Sequence, residues 1–481
     1  MSVNFPDLGN TSWRLLAKND LKAIRQTLKE NHPGICDTVN QDFLNWFNYG
    51  NMIVLAMADQ IISYKGYYYC LKFYINGFLD NHLKIQLPKH QNPLWPGFLV
   101  KYRGGDLVVA YVDEKDTNFT NLPPINAKLC YCDHIKPEAY MKKNIFAYDG
   151  NVNLESSWYN WGPYILVNNR NPWRKEIENC LFEIDGKSLS IELKWQYIDE
   201  RCLADIITNI LFGNCQGSYW VSEFEKNAVW IRLPSFQPKN RTELTEIYHI
   251  INILPELRRK EIIVFDVRGN RGGNSQWGLN ILNQLYGEEY VNYKIYSDND
   301  PARKQSYVEW RVSKGNIDYL ANELVSIKNN FGEDSLAYCL TNNVVSGMKD
   351  AFEKEEPLYR ETKIFLKNPG SIIPISLCKS KIFLLTDSRC ASACLTFADL
   401  LFELGGVIHI GQSTNADSVY MDTRSVLLPS GISKLIFPMK VYRNRKRGNN
   451  QAHVPKYKWD GEIGDTEKIK DWVIVNKGKL I

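Results

Sequence analysis

Two hydrophobic periods alternate along the second half of the chain. AVWIRL, EIIVFDV, KIFLLTD and GVIHIG are nearly unbroken apolar runs, as strands buried on both faces require. TELTEIYHIINILPEL, QWGLNILNQLYG and CLTFADLLFELG instead repeat their apolar residues at helical spacing, which gives each one apolar face. Strand and helix taking turns predict an α/β domain over residues 206–481. A polar, largely helical stretch at about 287–375 interrupts it without an obvious strand partner. That insertion reads equally well as a lid or as a structural cap.

The first half changes character twice. Leu21, Ile24, Leu28, Phe43, Trp46 and Phe47 fall at helical spacing, so residues 1–84 are expected to be a helical segment, with Asp20 or Asn19 capping its second helix. GFLDNHLKI then turns into a strand. Over 85–205 the runs FLVKYR, LVVAYV, AKLCYC, YILVNN, CLFEID and LSIELKW are short, β-type and separated by turn residues. They predict a β-rich domain containing a hairpin closed by DGKS.

Composition narrows the function classes. The 481 residues are 44% hydrophobic and 23% charged, ordinary values for a globular chain with ample core. A net charge of +4 without a basic stripe gives no electrostatic footprint for nucleic acid. No apolar run is long enough for a membrane span. The start, MSVNFPDLGNTSWRLL, lacks the basic and apolar regions of a signal peptide, so none is expected in the chain as written. The 11 cysteines are odd in number and scattered, which argues against a complete disulfide framework. Cys130, Cys132 and His134 are crowded and lack a second ligand pair, so strand-edge packing suits them better than metal.

Candidate chemistry gathers at two strand-to-helix junctions. In DSRCASACLTFADLL, Ser392 opens an apolar helix, where outward-pointing N–H groups and the helix dipole favour a developing anion. The Ala393 N–H is placed to serve an oxyanion, and Ala391 and Ala393 permit close backbone approach. An N-cap serine is the competing reading. In EIIVFDVRGNRGGNS, Gly272 and Gly273 expose backbone N–H groups after a buried strand. The spacing is neither a dinucleotide fingerprint nor a phosphate-binding P-loop.

Taken in order, RGNRGG, the insertion, ASAC, GQST and LPSG resemble the catalytic domain of the S41 serine peptidases, the C-terminal-processing (tail-specific) protease and tricorn-core group. DLKAIRQTLKENHPG with GFLDNHLKI is similar to that family's N-terminal segment, and WPGFLVKYRGG to the carboxylate-binding loop of a PDZ-like domain. The resemblance implies a ClpP/crotonase-like core, Ser392 as nucleophile, and an oxyanion hole made by Ala393 with Gly272 or Gly273. The processing proteases carry a lysine base about 25 residues after the serine, where this chain has Asp417. Two bases are left. His82 matches the catalytic histidine of the tricorn branch, and a near-neutral imidazole can relay a proton to the leaving amine. Lys440, on a strand after LPSG, is the other. Asp417 is a candidate to orient His82, whereas Asp80 stands too close in sequence to be an obvious partner. Gln451 occupies the place of the tricorn-branch acid. The arginine-rich YRNRKRG, 442–448, reads as a solvated hairpin.

These readings lead to a serine endopeptidase acting on unfolded or C-terminal polypeptide segments, without metal or organic cofactor. The resemblance also implies export, if a signal has been removed. The alternative is a non-catalytic ligand- or peptide-binding protein on the same scaffold.

Overall fold

Ala228–Arg232, Ile262–Asp266, Lys381–Thr386 and Val407–Gly411 have almost no side chain facing water, and they lie side by side as parallel strands. The computed structural model describes residues 10–88, 92–116, 118–119, 121–213, 217–296, 306–361 and 374–478. It extends this sheet with Trp220–Glu225, antiparallel at one edge, and Tyr457–Lys458 at the other. Helices Arg241–Leu257, Ser275–Tyr286 and Ala393–Leu404 cover one face, where Phe265, Leu384, Leu395 and Phe397 meet. Helix Thr466–Asn476 covers the other, over Trp230, Val264 and Phe383. Full burial of each such side chain stabilises by about 1.5–3 kcal/mol. The sheet is therefore a firm base for the loops that leave its carboxyl ends, where sites of open α/β sheets form.

A second sheet joins distant parts of the chain. Lys434–Arg443 pairs with Tyr420–Leu427 along one side, and with Lys84–Gln86 and Tyr307–Arg311 along the other. Helices Asn10–Asn31, Gln41–Ala58 and Tyr64–Asn76 pack on it, with Leu21, Phe43 and Tyr67 against Leu435 and Phe437. The third unit is a five-stranded antiparallel sheet between Phe98 and Glu192 with its own core. That core takes in Leu203 and Ile207 of helix Glu200–Phe212, so its packing runs past residue 205. Among the described residues no helix is long and apolar enough to cross a membrane.

Four local expectations need correction. YILVNN forms a 3-10 helix, Gly162–Leu166, instead of a strand, because Pro163 and Gly162 start a tight turn over the Phe98–Arg103 strand. Asp20 caps nothing. It lies inside the continuous helix Asn10–Asn31 and accepts hydrogen bonds from Tyr67, from Ser433 and from both the backbone and hydroxyl of Ser430. The insertion does have a strand partner. Tyr307–Arg311 pairs with Leu358–Arg360 as well as with Lys434–Arg443. Its following helix is tied down through Asn316, whose amide donates to Asn31 O and accepts from Arg424. Finally, YRNRKRG is no solvated hairpin. Arg443 pairs with Asp37 and Glu309, Arg445 with Asp417, and the buried Arg447 with Asp399 and Asp417.

Candidate active site

Ser392 stands where strand Lys381–Thr386 has ended and helix Ala393–Leu404 begins. Its backbone lies at φ 54°, ψ −121°, a region that costs a non-glycine residue about 1–3 kcal/mol. An N-cap serine would be extended and would accept a helix N–H. Ser392 does neither, and its hydroxyl has no hydrogen-bond partner among the described residues. The side chain is half-buried.

The preceding turn is bonded to the glycine-rich turn after Ile262–Asp266. The buried Asp387 carboxylate accepts the Gly269 N–H at 2.8 Å and the Arg389 N–H at 3.0 Å, and the Ala391 N–H donates to Asn270 O at 3.2 Å. Burial pushes the Asp387 carboxyl above the usual carboxylate range, against the pull of those N–H groups. Gly272, at φ 96°, faces the serine directly. A Cβ there would lie 2.7 Å from Ala391 O and 2.8 Å from both Ala393 N and Ser392 Cβ. Its N–H is already committed to Asn270 Oδ1 at 2.9 Å. The Gly273 and Ala393 N–H groups, by contrast, donate to no acceptor among the described residues.

The base of the Gly-rich turn is a buried charge cluster. Asp266 accepts from Trp230 Nε1 and from the guanidinium groups of Arg232 and Arg268. Burial alone would raise its pKa, but the two arginines hold it down to about 2.

The turn that carries His82 is tied to the segment that follows the serine helix and its strand. The Asn81 amide donates to Ala416 O, the Asn450 amide to Leu79 O, and the Asn415 N–H to Cys390 O at 3.0 Å. The turn carrying His82 and the turn carrying Ser392 are thus fastened to neighbouring residues of one segment, 415–416. Lys84, two residues beyond His82, is exposed, and its pKa is lowered by partial desolvation, opposed by Asp80 and helped by the charge of Arg271 in the Gly-rich turn. His82 Nδ1 is buried with no partner among the described residues, and its backbone N–H donates to Asp80 Oδ1 at 2.9 Å. Asp80 is buried, accepts the Ser418 hydroxyl at 2.6 Å, and has His32 Nε2 3.4 Å from its second oxygen.

The other candidates are engaged elsewhere. The Asp417 carboxylate is held by Arg445, at 2.8 Å, and by Arg447. Lys440 lies on the second sheet, with its ammonium 2.7 Å from Asp422 and over the Trp310 ring. Burial would lower its pKa, yet Asp422 carries it above the ordinary value, so the amine keeps its proton. Gln451 Oε1 accepts the Gly448 N–H. Asp80, set aside from the sequence as too close to His82, is the carboxylate that the His82 backbone N–H meets. A disulfide between Cys390 and Cys394 is not anticipated, although the i, i+4 spacing across a helix start is a visible signal.

Residues 227–456 match the family model of peptidase family S41. Among solved structures, mature CPAF shares the fold, with a TM-score of 0.61 at 12% identity over 97% of this chain and 99% of that one. Mature CPAF complexed with lactacystin gives a TM-score of 0.60 at 13% identity, covering 96% and 99%. No curated protein sequence matches the chain.

Proposed function

The chain is a serine peptidase of the S41 type, its family domain spanning residues 227–456, and we propose that it cleaves unfolded or C-terminal polypeptide segments with Ser392 as nucleophile and His82 as general base. In this reading Ser392 Oγ attacks the scissile carbonyl while His82 takes the hydroxyl proton and returns it to the leaving amine. Negative charge on the carbonyl oxygen is received by the Gly273 and Ala393 N–H groups, both otherwise unpaired among the described residues. Gly272 supplies the space that lets the two turns meet. Asp80, with Asp417 engaged by arginines, is the carboxylate beside His82 that favours the imidazolium formed during transfer. The substrate class follows from the family resemblance of the Gly-rich and Ser motifs.

One observation carries the proposal. Ser392 is kept in a costly backbone conformation and its hydroxyl makes no structural hydrogen bond, which an ordinary helix cap would not do. The test is labelling of the protein with a fluorophosphonate, followed by peptide mapping. Label on Ser392, lost in Ser392→Ala together with hydrolysis of an unstructured polypeptide, is the expected result. No label at any pH would leave the non-catalytic binding protein as the better reading.

A further inference from the structure

Resting on the role given to Ser392, we propose that the Cys390–Cys394 disulfide is the positioning element of the nucleophile and makes its reactivity depend on thiol redox state. The bond joins the second residue before Ser392 to the second residue after it. The three residues it encloses, Ala391, Ser392 and Ala393, include the strained nucleophile and an oxyanion donor. Both cysteines are fully buried in the core that packs the Ser392 helix, while Ser392 itself is only half-buried. The cross-link therefore grips the elbow from its inner side and leaves the hydroxyl facing outward.

The bond answers a mechanical need that the hydrogen bonds around the elbow meet only in part. Ser392 has φ 54° without being glycine, and its side chain makes no bond that would hold it there. A serine at this position has an easy alternative, in which the backbone becomes extended and the hydroxyl caps the helix by accepting an N–H two or three residues on. That relaxed state hides the nucleophile. Moving into it requires Cys390 and the first helical turn to shift relative to each other, and the disulfide ties them together. The outer attachments do not substitute for it. The Asn415 N–H bond to Cys390 O and the Ala391 N–H bond to Asn270 O fix the chain before Ser392. The Thr396 N–H bond to Ser392 O would survive in the relaxed state, where a cap carbonyl also accepts the first helical bond, and the Cys394 N–H bond to Ala391 O spans the serine alongside the disulfide.

Opening the bond needs a reductant, either a dithiol or a phosphine. A phosphine attacks one sulfur and leaves as its oxide, water supplying the oxygen and the two thiol protons. With a dithiol, one thiolate attacks a cysteine sulfur to form a mixed disulfide. The second thiolate then closes on it, so that two electrons and two protons leave Cys390 and Cys394 as thiols and the dithiol as a cyclic disulfide. The buried sulfurs favour a small reductant. A small disulfide reverses the step by the same exchange, taking up the two electrons and two protons and leaving as two thiols.

The experiment uses the full chain and a Cys390→Ala/Cys394→Ala variant. The phosphine TCEP is applied under native conditions, and thiol alkylation with peptide mapping reports the state of the 390–394 pair. Fluorophosphonate labelling of Ser392 is expected to slow about 10-fold or more on reduction, with kcat falling and KM little changed. The double variant should match the reduced protein, keep its melting temperature near that of the reduced protein, and ignore TCEP. Reoxidation should restore the wild type alone. Labelling at an unchanged rate with the bond demonstrably open overturns the proposal, as does finding both residues as thiols in air-oxidised protein. Ser392 inert in both states would instead sink the peptidase reading. Amide exchange over 391–396 then decides the clamp, because faster exchange on reduction supports it and unchanged exchange rejects it.

Discussion

A methyl group at Gly272 would sit 2.7–2.8 Å from three atoms of the serine turn, two of them backbone. Backbone cannot swing aside as a side chain does, so Gly272→Ala must push the Ser392 elbow away from the Gly-rich turn. A displacement of that kind reduces a reaction that depends on near-attack geometry by about 100-fold. The same substitution also strains a residue at φ 96°. The expected outcome is fluorophosphonate labelling slowed by about 100-fold in a protein that still unfolds cooperatively; labelling at the wild-type rate would show that the two turns are not mechanically coupled. At this scale the sequence was informative about identity and poor about state. Ser392, Gly272 and Gly273 were visible as small residues at strand ends. That the Gly272 N–H is occupied by Asn270, or that Asp417 is captured by two arginines, depends on partners that no local pattern names. The assignment of Asp417 as orienter therefore rested on chain position alone.

Single buried polar groups decide how helices and strands meet. Asp20 interrupts the apolar face of the first helix and looked like a cap because Asn19 and Asp20 are common there. Periodicity cannot see that Tyr67, Ser430 and Ser433 converge on it from far along the chain. The distinction has a measurable consequence. A surface cap replaced by alanine costs about 1 kcal/mol, whereas stranding several buried donors costs about 3 kcal/mol. Asp20→Ala is expected to show the larger loss in urea unfolding, and a loss near that of a cap would place the carboxylate at the surface in solution. The same blindness explains YVEWR, inside a stretch read as helical. Its alternating pattern was short, and its partner strand Lys434–Arg443 lies more than a hundred residues away. Strands of the central sheet were legible because both their faces are buried, which leaves a pattern within the run itself.

Across the whole molecule, the order of strands and helices predicted the layered domain, but the charge network that joins the units did not show in it. YRNRKRG has the composition of a solvated turn, and only the folded chain supplies Asp37, Asp399 and Asp417 to neutralise it. Burial also sets how the fold responds to acid. His409 lies inside the central sheet with its Nε2 2.8 Å from the Thr386 hydroxyl, and burial, followed by the charge of His453, pushes its pKa down to about 3. His32 is shifted in the same direction by burial. An unfolded histidine takes a proton near pH 6.5, so below that pH the unfolded chain binds protons the native chain refuses. Stability from this source is complete above about pH 6.5 and is lost as pH falls towards 3, by about 1.4 kcal/mol per pH unit for one such histidine. Asp266 acts later. Its folded pKa of about 2 keeps its contribution intact until the pH drops below the ordinary aspartate value near 3.9. Between pH 6 and 5, then, the loss is a histidine effect. Urea unfolding at these two pH values should show the wild type weakening with acid, and His409→Gln weakening less by about 1 kcal/mol over that unit, whatever its stability at pH 7. Equal slopes in the two proteins would mean that His409 is protonated within the fold, and that the central sheet admits a charge at its core.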